Sequence, residues 1–146
     1  MKIEEISALW AVDSEINTNR LVEESTRIPK LHSKYYNILN EERLRLTSLQ
    51  VLHDELAVAL EGYYNKSLTV DEMERWNLGP MSDKKYLKAD IARMVEVHPR
   101  MVEVKTKIGI QNGKIKFLED VIKMIHNMNF SIKNCIDMKK FNAGAF

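Results

Sequence analysis

Arg43 and Arg45 stand together in N-E-E-R-L-R-L, and Lys84, Lys85 and Lys88 crowd around Tyr86, with Arg93 following. Lysine and arginine hold phosphate oxygens without reading bases, and an aromatic ring offers a stacking surface for unpaired bases. This set therefore suits a polyanion. A second reading stands beside it: Arg43 and Arg45 pair with Glu41, Glu42 or acids on a neighbouring helix, and Tyr35-Tyr36 and Tyr63-Tyr64 pack at helix faces. One chain holds too few such charges for tight binding. An assembly repeating the patch multiplies both phosphate contacts and avidity.

Catalytic chemistry finds little footing. His32, His53, His98 and His126 are scattered with no ligand spacing of the H-E-x-x-H kind. Cys135 is alone, so one chain can form neither a disulfide framework nor a cysteine metal cluster. No glycine-rich phosphate loop is present. Gly109 and Gly113 form G-x-x-x-G inside a helical pattern, where the spacing favours close helix packing. Glu4-Glu5, Glu23-Glu24 and Glu41-Glu42 are adjacent in sequence, so on a helix each pair points apart and is expected to form a solvated face. The expectation is no enzyme, no cofactor and no metal.

The elements that must position these cations are helices. Apolar residues make up 45% of the 146 and charged residues 29%, while 5 glycines and 3 prolines leave few places for the turns of a β fold. Net charge is +1, but residues 1–73 hold 8 Lys and Arg against 13 Asp and Glu, and residues 74–146 hold 14 against 8. A basic half attracts a polyanion and leaves an acidic half to meet proteins; alternatively, opposite halves attract each other within an oligomer. There is no apolar run of membrane-spanning length, and the opening M-K-I-E-E-I is broken by charge. Neither a membrane span nor a secretory signal is expected.

Along the chain, Ile3, Ile6, Leu9 and Trp10 predict a short helix over Met1–Val12, followed by a polar turn over Asp13–Thr26. Ser25 or Thr26 then caps a long helix with Pro29 in its first turn. Leu31, Tyr35, Ile38, Leu39, Leu46, Leu49, Leu52, Leu56, Leu60 and Tyr63 carry its apolar stripe to Tyr64. Residues 65–82 read as a hinge, with a short helix capped by Thr69 and Glu72 and ended by Gly79-Pro80. A helix over about Asp83–Val95 follows. His98-Pro99 opens a second long helix, whose Met101, Val104, Ile108, Gln111, Ile115, Leu118, Ile122 and Ile125 alternate steps of three and four. Asn127–Asn129 is expected to loosen it before a basic terminal segment, Asn129–Phe146.

The fold class is thus all-α: a long helical hairpin with a coiled-coil-like seam and short flanking helices. It forms a single helical domain over 1–146, with an acidic part (1–64), a hinge (65–82) and a basic part (83–146). Apolar ridges this extensive exceed what a lone subunit hides, so copies are expected to join. Phe130, Ile132, Ile136 and Phe141, within segment 130–141, are the candidate oligomerisation residues.

The order of several strings resembles one family. F-x-I-K-x-x-x-D-M-K-x-F-x-A-G runs from Phe130 to Gly144. K-I-E-E-I, W-x-x-D-S-x-I (Trp10, Asp13, Ser14, Ile16), E-S-T-x-I-P-x-L-H-x-K-Y-Y and N-E-E-R-L-R-L precede it, and L-K-A-D (Leu87–Asp90) and K-I-G-I-Q-x-x-K-I-K-x-L-E-D (Lys107–Asp120) lie between. Together they look like the UvsY family, the recombination mediators of T-even-type phages, over nearly the whole chain. The resemblance implies a homo-oligomeric ring without enzymatic activity that binds single-stranded DNA in the cytoplasm of the infected bacterial host. It also implies help in seating the phage recombinase (UvsX) on strands covered by the phage single-strand DNA-binding protein. The chain departs from T-even versions just before Tyr63-Tyr64. A basic pair associated there with DNA binding is replaced by Ala57–Gly62, with Val58 and Leu60 near its places. The candidate DNA contacts are therefore Arg43, Arg45, Lys84, Lys85, Lys88 and Arg93. The rival class is a structural or adaptor coiled coil with protein partners only.

Overall fold

The computed structural model describes residues 1–144, and its elements in chain order are α1 (Ile3–Asp13), α2 (Leu21–Tyr64), α3 (Val70–Arg75), α4 (Lys88–Val97) and α5 (Pro99–Asn142). Among the described residues there is no strand, so the all-α expectation holds. Ala145 and Phe146, the end of the basic terminal segment, lie outside the described residues. The chain forms two compact units: Met1–Arg43 with Gly113–Phe146, and the contiguous stretch Leu44–Asn112. The helices α2 and α5 each contribute to both.

In the first unit, α1 buries Ile6 and Trp10, α2 buries Ile28, Leu31, Tyr35 and Leu39, and α5 buries Leu118, Val121, Ile125, Met128 and Ile132. Steps of three and four keep each set on one helical face, and burying a side chain of this size contributes roughly 1.5–3 kcal/mol. The α2 and α5 segments run antiparallel, with His32 beside His126 and Glu42 beside Lys114. The burial of Met128 and Ile132 also explains why α5 continues unbroken through Asn127–Asn129, where loosening was expected. Glu42 overturns a second expectation. It is not on a solvated face but only 1% exposed, its Oε2 accepting from the buried Lys114 Nζ at 3.1 Å, with the Met1 amino group 3.7 Å from Oε1.

The strings W-x-x-D-S and K-Y-Y meet here. Trp10 and Tyr35 pack edge-on with ring centroids 5.3 Å apart. The Tyr35 hydroxyl donates to Asp13 Oδ2 at 2.8 Å, and Lys34 Nζ reaches the same oxygen at 2.6 Å. Arg27 donates to the carbonyls of Asp13 and Glu15 and pairs with Glu24 at 2.7 Å. This anchoring starts α2 at Leu21, ahead of the expected cap. Pro29 lies inside the helix, and the Thr26 hydroxyl donates to the Glu23 carbonyl instead of capping.

Burial pushes the Asp13 carboxyl up, but the hydrogen bonds from Lys34 and Tyr35, helped by the Lys34 and Arg27 charges, hold it below the usual value. Burial, then the Asp13 hydrogen bond and charge, push the Tyr35 phenol well above its usual range. A depressed folded-state carboxyl contributes stability that is complete above the unfolded value, near pH 4, and is lost as pH falls through the folded value. Asp13→Asn is accordingly expected to cost about 1.5–3 kcal/mol at pH 7, the scale of hydrogen bonds to a charged group, and progressively less below pH 4. Urea unfolding of both proteins from pH 7 to pH 3 measures this; a gap that does not narrow in acid contradicts it.

The second unit centres on Leu56, Leu60, Ile91, Val95, Met101 and Val104, with Trp76, Leu78 and Tyr86 packed against them. After Tyr64 the chain turns through left-handed Lys66 at φ 69°, and Ser67 and Leu68 both donate to the Gly62 carbonyl. A Cβ on Gly62 would sit 3.3 Å from Ser67 Oγ, too close for that turn to close unchanged. Thr69 Oγ1 accepts from the Glu72 amide and caps α3. Tyr63 donates to the Pro80 carbonyl at 3.0 Å, Lys66 Nζ reaches the Ser82 carbonyl, and Ser82 Oγ accepts from the Lys84 amide. These contacts hold residues 80–87 off the helical path, so α4 begins at Lys88 rather than near Asp83. At the α4–α5 junction, His98 Nδ1 accepts from the Arg100 amide at 3.1 Å. Burial and then the Arg100 charge lower the His98 imidazole below its ordinary value, which favours the neutral ring this bond needs.

Candidate nucleic-acid interface

The cations singled out by sequence fall in both units. Lys84 and Lys85 are exposed on the stretch before α4, Lys88 is its first residue, and Arg93 stands two positions from each of the buried Ile91 and Val95. That spacing turns Arg93 to the face away from the core. Lys84, Lys85, Lys88 and Arg93 have no ion pair among the described residues. Arg45 is exposed in the same unit. Arg43 belongs to the first unit and pairs with Glu119 at 3.2 Å, the neighbouring-helix acid of the second reading. Both partners are about half exposed, and a bridge of that kind is worth roughly 0–1 kcal/mol, little enough for a phosphate to displace.

The aromatic residues are more committed. Tyr86 sits edge-on to Tyr64 at 6.1 Å and beneath Lys66 Nζ at 5.4 Å, while Tyr63 and Tyr64 pack edge-on at 5.3 Å. Burial, followed by the neighbouring Tyr63 and Tyr86, raises the Tyr64 phenol above its usual value. Tyr35 is buried, and Tyr36 stacks on His32. These rings thus serve packing first.

Sequence reasoning missed a groove of about 510 Å³ lined by Ala57, Val58, Glu61, Tyr86, Lys88 and Ile91. Its walls come from α2 and α4, which no local sequence signal pairs. In the same α2 segment Val58 is 72% exposed, whereas Leu60 is 0% exposed in the core of the second unit. A cation could replace Val58 freely, but at Leu60 it would be buried without a partner.

The candidate oligomerisation residues separate. Phe130 and Phe141 are 68% and 69% exposed, and Met138 and Ile136 are exposed as well, but Ile132 is buried inside the first unit. Eleven residues are about three helical turns, so Phe130 and Phe141 share one face of α5. A shallow groove along it is lined by Asn134, Asp137, Met138 and Phe141.

Among the described residues, no three or more His, Cys, Asp or Glu side chains are gathered to hold a metal, and no helix is long and apolar enough to cross a membrane.

Comparison with known proteins bears on this arrangement. Crystal structures of the bacteriophage T4 recombination mediator protein UvsY superpose with a TM-score of 0.83 at 20% identity, covering 98% of each chain. A second lattice form gives 0.83 at 19%, covering 97% of this chain and 99% of that one. At such identity the likeness is one of fold. A search of curated proteins finds no match. The family model described as "Recombination, repair and ssDNA binding protein UvsY" matches residues 9–145. With that match over nearly its full length, the chain belongs to the UvsY family.

Proposed function

We propose that this chain is a recombination mediator without enzymatic activity of its own. It works in the cytoplasm of an infected bacterium, as a homo-oligomeric ring that holds single-stranded DNA through non-specific phosphate contacts. By distorting or wrapping the strand it weakens the grip of the phage single-strand DNA-binding protein and favours nucleation of the phage recombinase. Family membership supports the class of function. The observation that carries the DNA reading is the exposed set Lys84, Lys85, Lys88 and Arg93, which make no ion pair among the described residues. The exposed Phe130, Met138 and Phe141 support assembly: apolar area of this size on one helix face gains by meeting another copy.

Fluorescence anisotropy with oligo-dT tests the DNA reading. Affinity falls steeply with salt, with a logarithmic slope of about −0.7 per phosphate contacted on a single strand. Binding at low salt no better than to a neutral polymer removes the DNA role and leaves the adaptor reading. Assembly has its own test. Phe130→Ser with Phe141→Ser alters only exposed positions, so it is expected to yield a smaller species in solution at unchanged helix content. A species of unchanged size would remove these residues from the interface.

A further inference from the structure

The four histidines divide into two kinds. His53 Nδ1 is engaged by Asp54 Oδ1 at 3.0 Å, and His98 Nδ1 accepts from the Arg100 amide. His32 and His126, from opposite helices of the first unit, make no hydrogen bond among the described residues. Their rings are neighbours instead, with centroids 5.4 Å apart and planes tilted at 59°. His32 is held in place by Tyr36 one turn on, its ring stacked at 5.7 Å and 12°. His32 is half-buried and His126 exposed, so the pair is open to solution.

The geometry points to a two-histidine site for a divalent transition-metal ion, zinc foremost, with water filling the remaining positions. Imidazole suits zinc, nickel and copper, and an uncommitted ring nitrogen has a lone pair to give. Two imidazoles bound to one tetrahedral zinc at about 2.0–2.1 Å hold their centroids roughly 5.3 Å apart, which is the separation already present here. The bound metal ties the N-terminal part of α2 to the α5 segment that bears Phe130, one turn beyond His126. With only two protein ligands, the site binds reversibly and is emptied by chelators.

Thermal unfolding of the full chain with zinc chloride, with and without EDTA, tests this. At a hundredfold excess over Kd the midpoint is expected to rise roughly 5–10 °C, and EDTA returns it to its starting value. His32→Gln and His126→Gln each abolish the rise, whereas His53→Gln and Cys135→Ser keep it. No rise at any zinc concentration up to about 1 mM overturns the site, and so does a rise that survives in His32→Gln. Nickel chloride provides a second probe, expected to show the same dependence on both residues.

Discussion

Alanine at Lys84, Lys85 and Lys88 together is expected to weaken binding to oligo-dT by roughly 100-fold or more at about 0.1 M salt, and to flatten the logarithmic salt slope by about 2 for each subunit that contacts the strand. Each lysine that leaves a phosphate returns about 0.7 of a counterion to the strand, and three such losses set both figures. The three side chains are exposed and have no ion pair among the described residues, so stability should move by no more than about 0.5 kcal/mol. A melting curve run beside the anisotropy titration therefore separates lost contacts from lost fold. The adaptor reading expects no change in partner binding or assembly from this variant. Unchanged affinity and slope for DNA would take the strand away from α4.

Removing a buried cation should be felt in the fold itself. Lys114→Met removes the ammonium 3.1 Å from the Glu42 carboxylate, which is 1% exposed and keeps the Met1 amino group 3.7 Å from Oε1. Breaking a buried pair by removing one partner costs about 3–5 kcal/mol, and the remaining Met1 contact puts the expected cost at the lower end of that range. Glu42→Leu combined with Lys114→Met should recover most of that loss, because a desolvated ion pair is often no better than apolar residues of similar volume. Urea unfolding of the single and double variants reads both. A cost below about 1 kcal/mol for Lys114→Met would mean that the pair is hydrated and contributes little.

What the sequence made legible followed from periodicity. The seam from Met101 to Ile125 shows directly in steps of three and four, and Thr69 caps α3 at the spacing its own residues announce. What stayed hidden depended on contacts distant along the chain. Nothing near Leu21 marks a helix start, because Arg27 fixes it by reaching back to Asp13 and Glu15. Glu42 read as a solvated acid because Lys114 lies 72 positions away. Asn127 and Asn129 suggest a break that Met128 and Ile132 prevent by packing within the first unit. Ile132 is expected with Phe130 on one side of the terminal segment at helical spacing, but a two-residue step turns them to different faces, and Ile132 is buried where Phe130 is exposed. For the candidate interface, the cations that the sequence singles out are exposed, but the sequence does not tell that Tyr86 is spent on Tyr64 and Lys66.

The two units differ in how their parts are ordered along the chain. The middle stretch Leu44–Asn112 carries every partner it needs, whereas Met1–Arg43 packs against residues that begin only at Gly113. On the ribosome, at about 5–20 residues per second, roughly 4–14 s separate Arg43 from Gly113. During that wait the buried set Ile28, Leu31, Tyr35 and Leu39 lacks the α5 segment that completes its unit. The nascent chain therefore passes through a stage with a finished middle and an open, sticky beginning, the interval in which holding chaperones or mispairing with a sister chain compete.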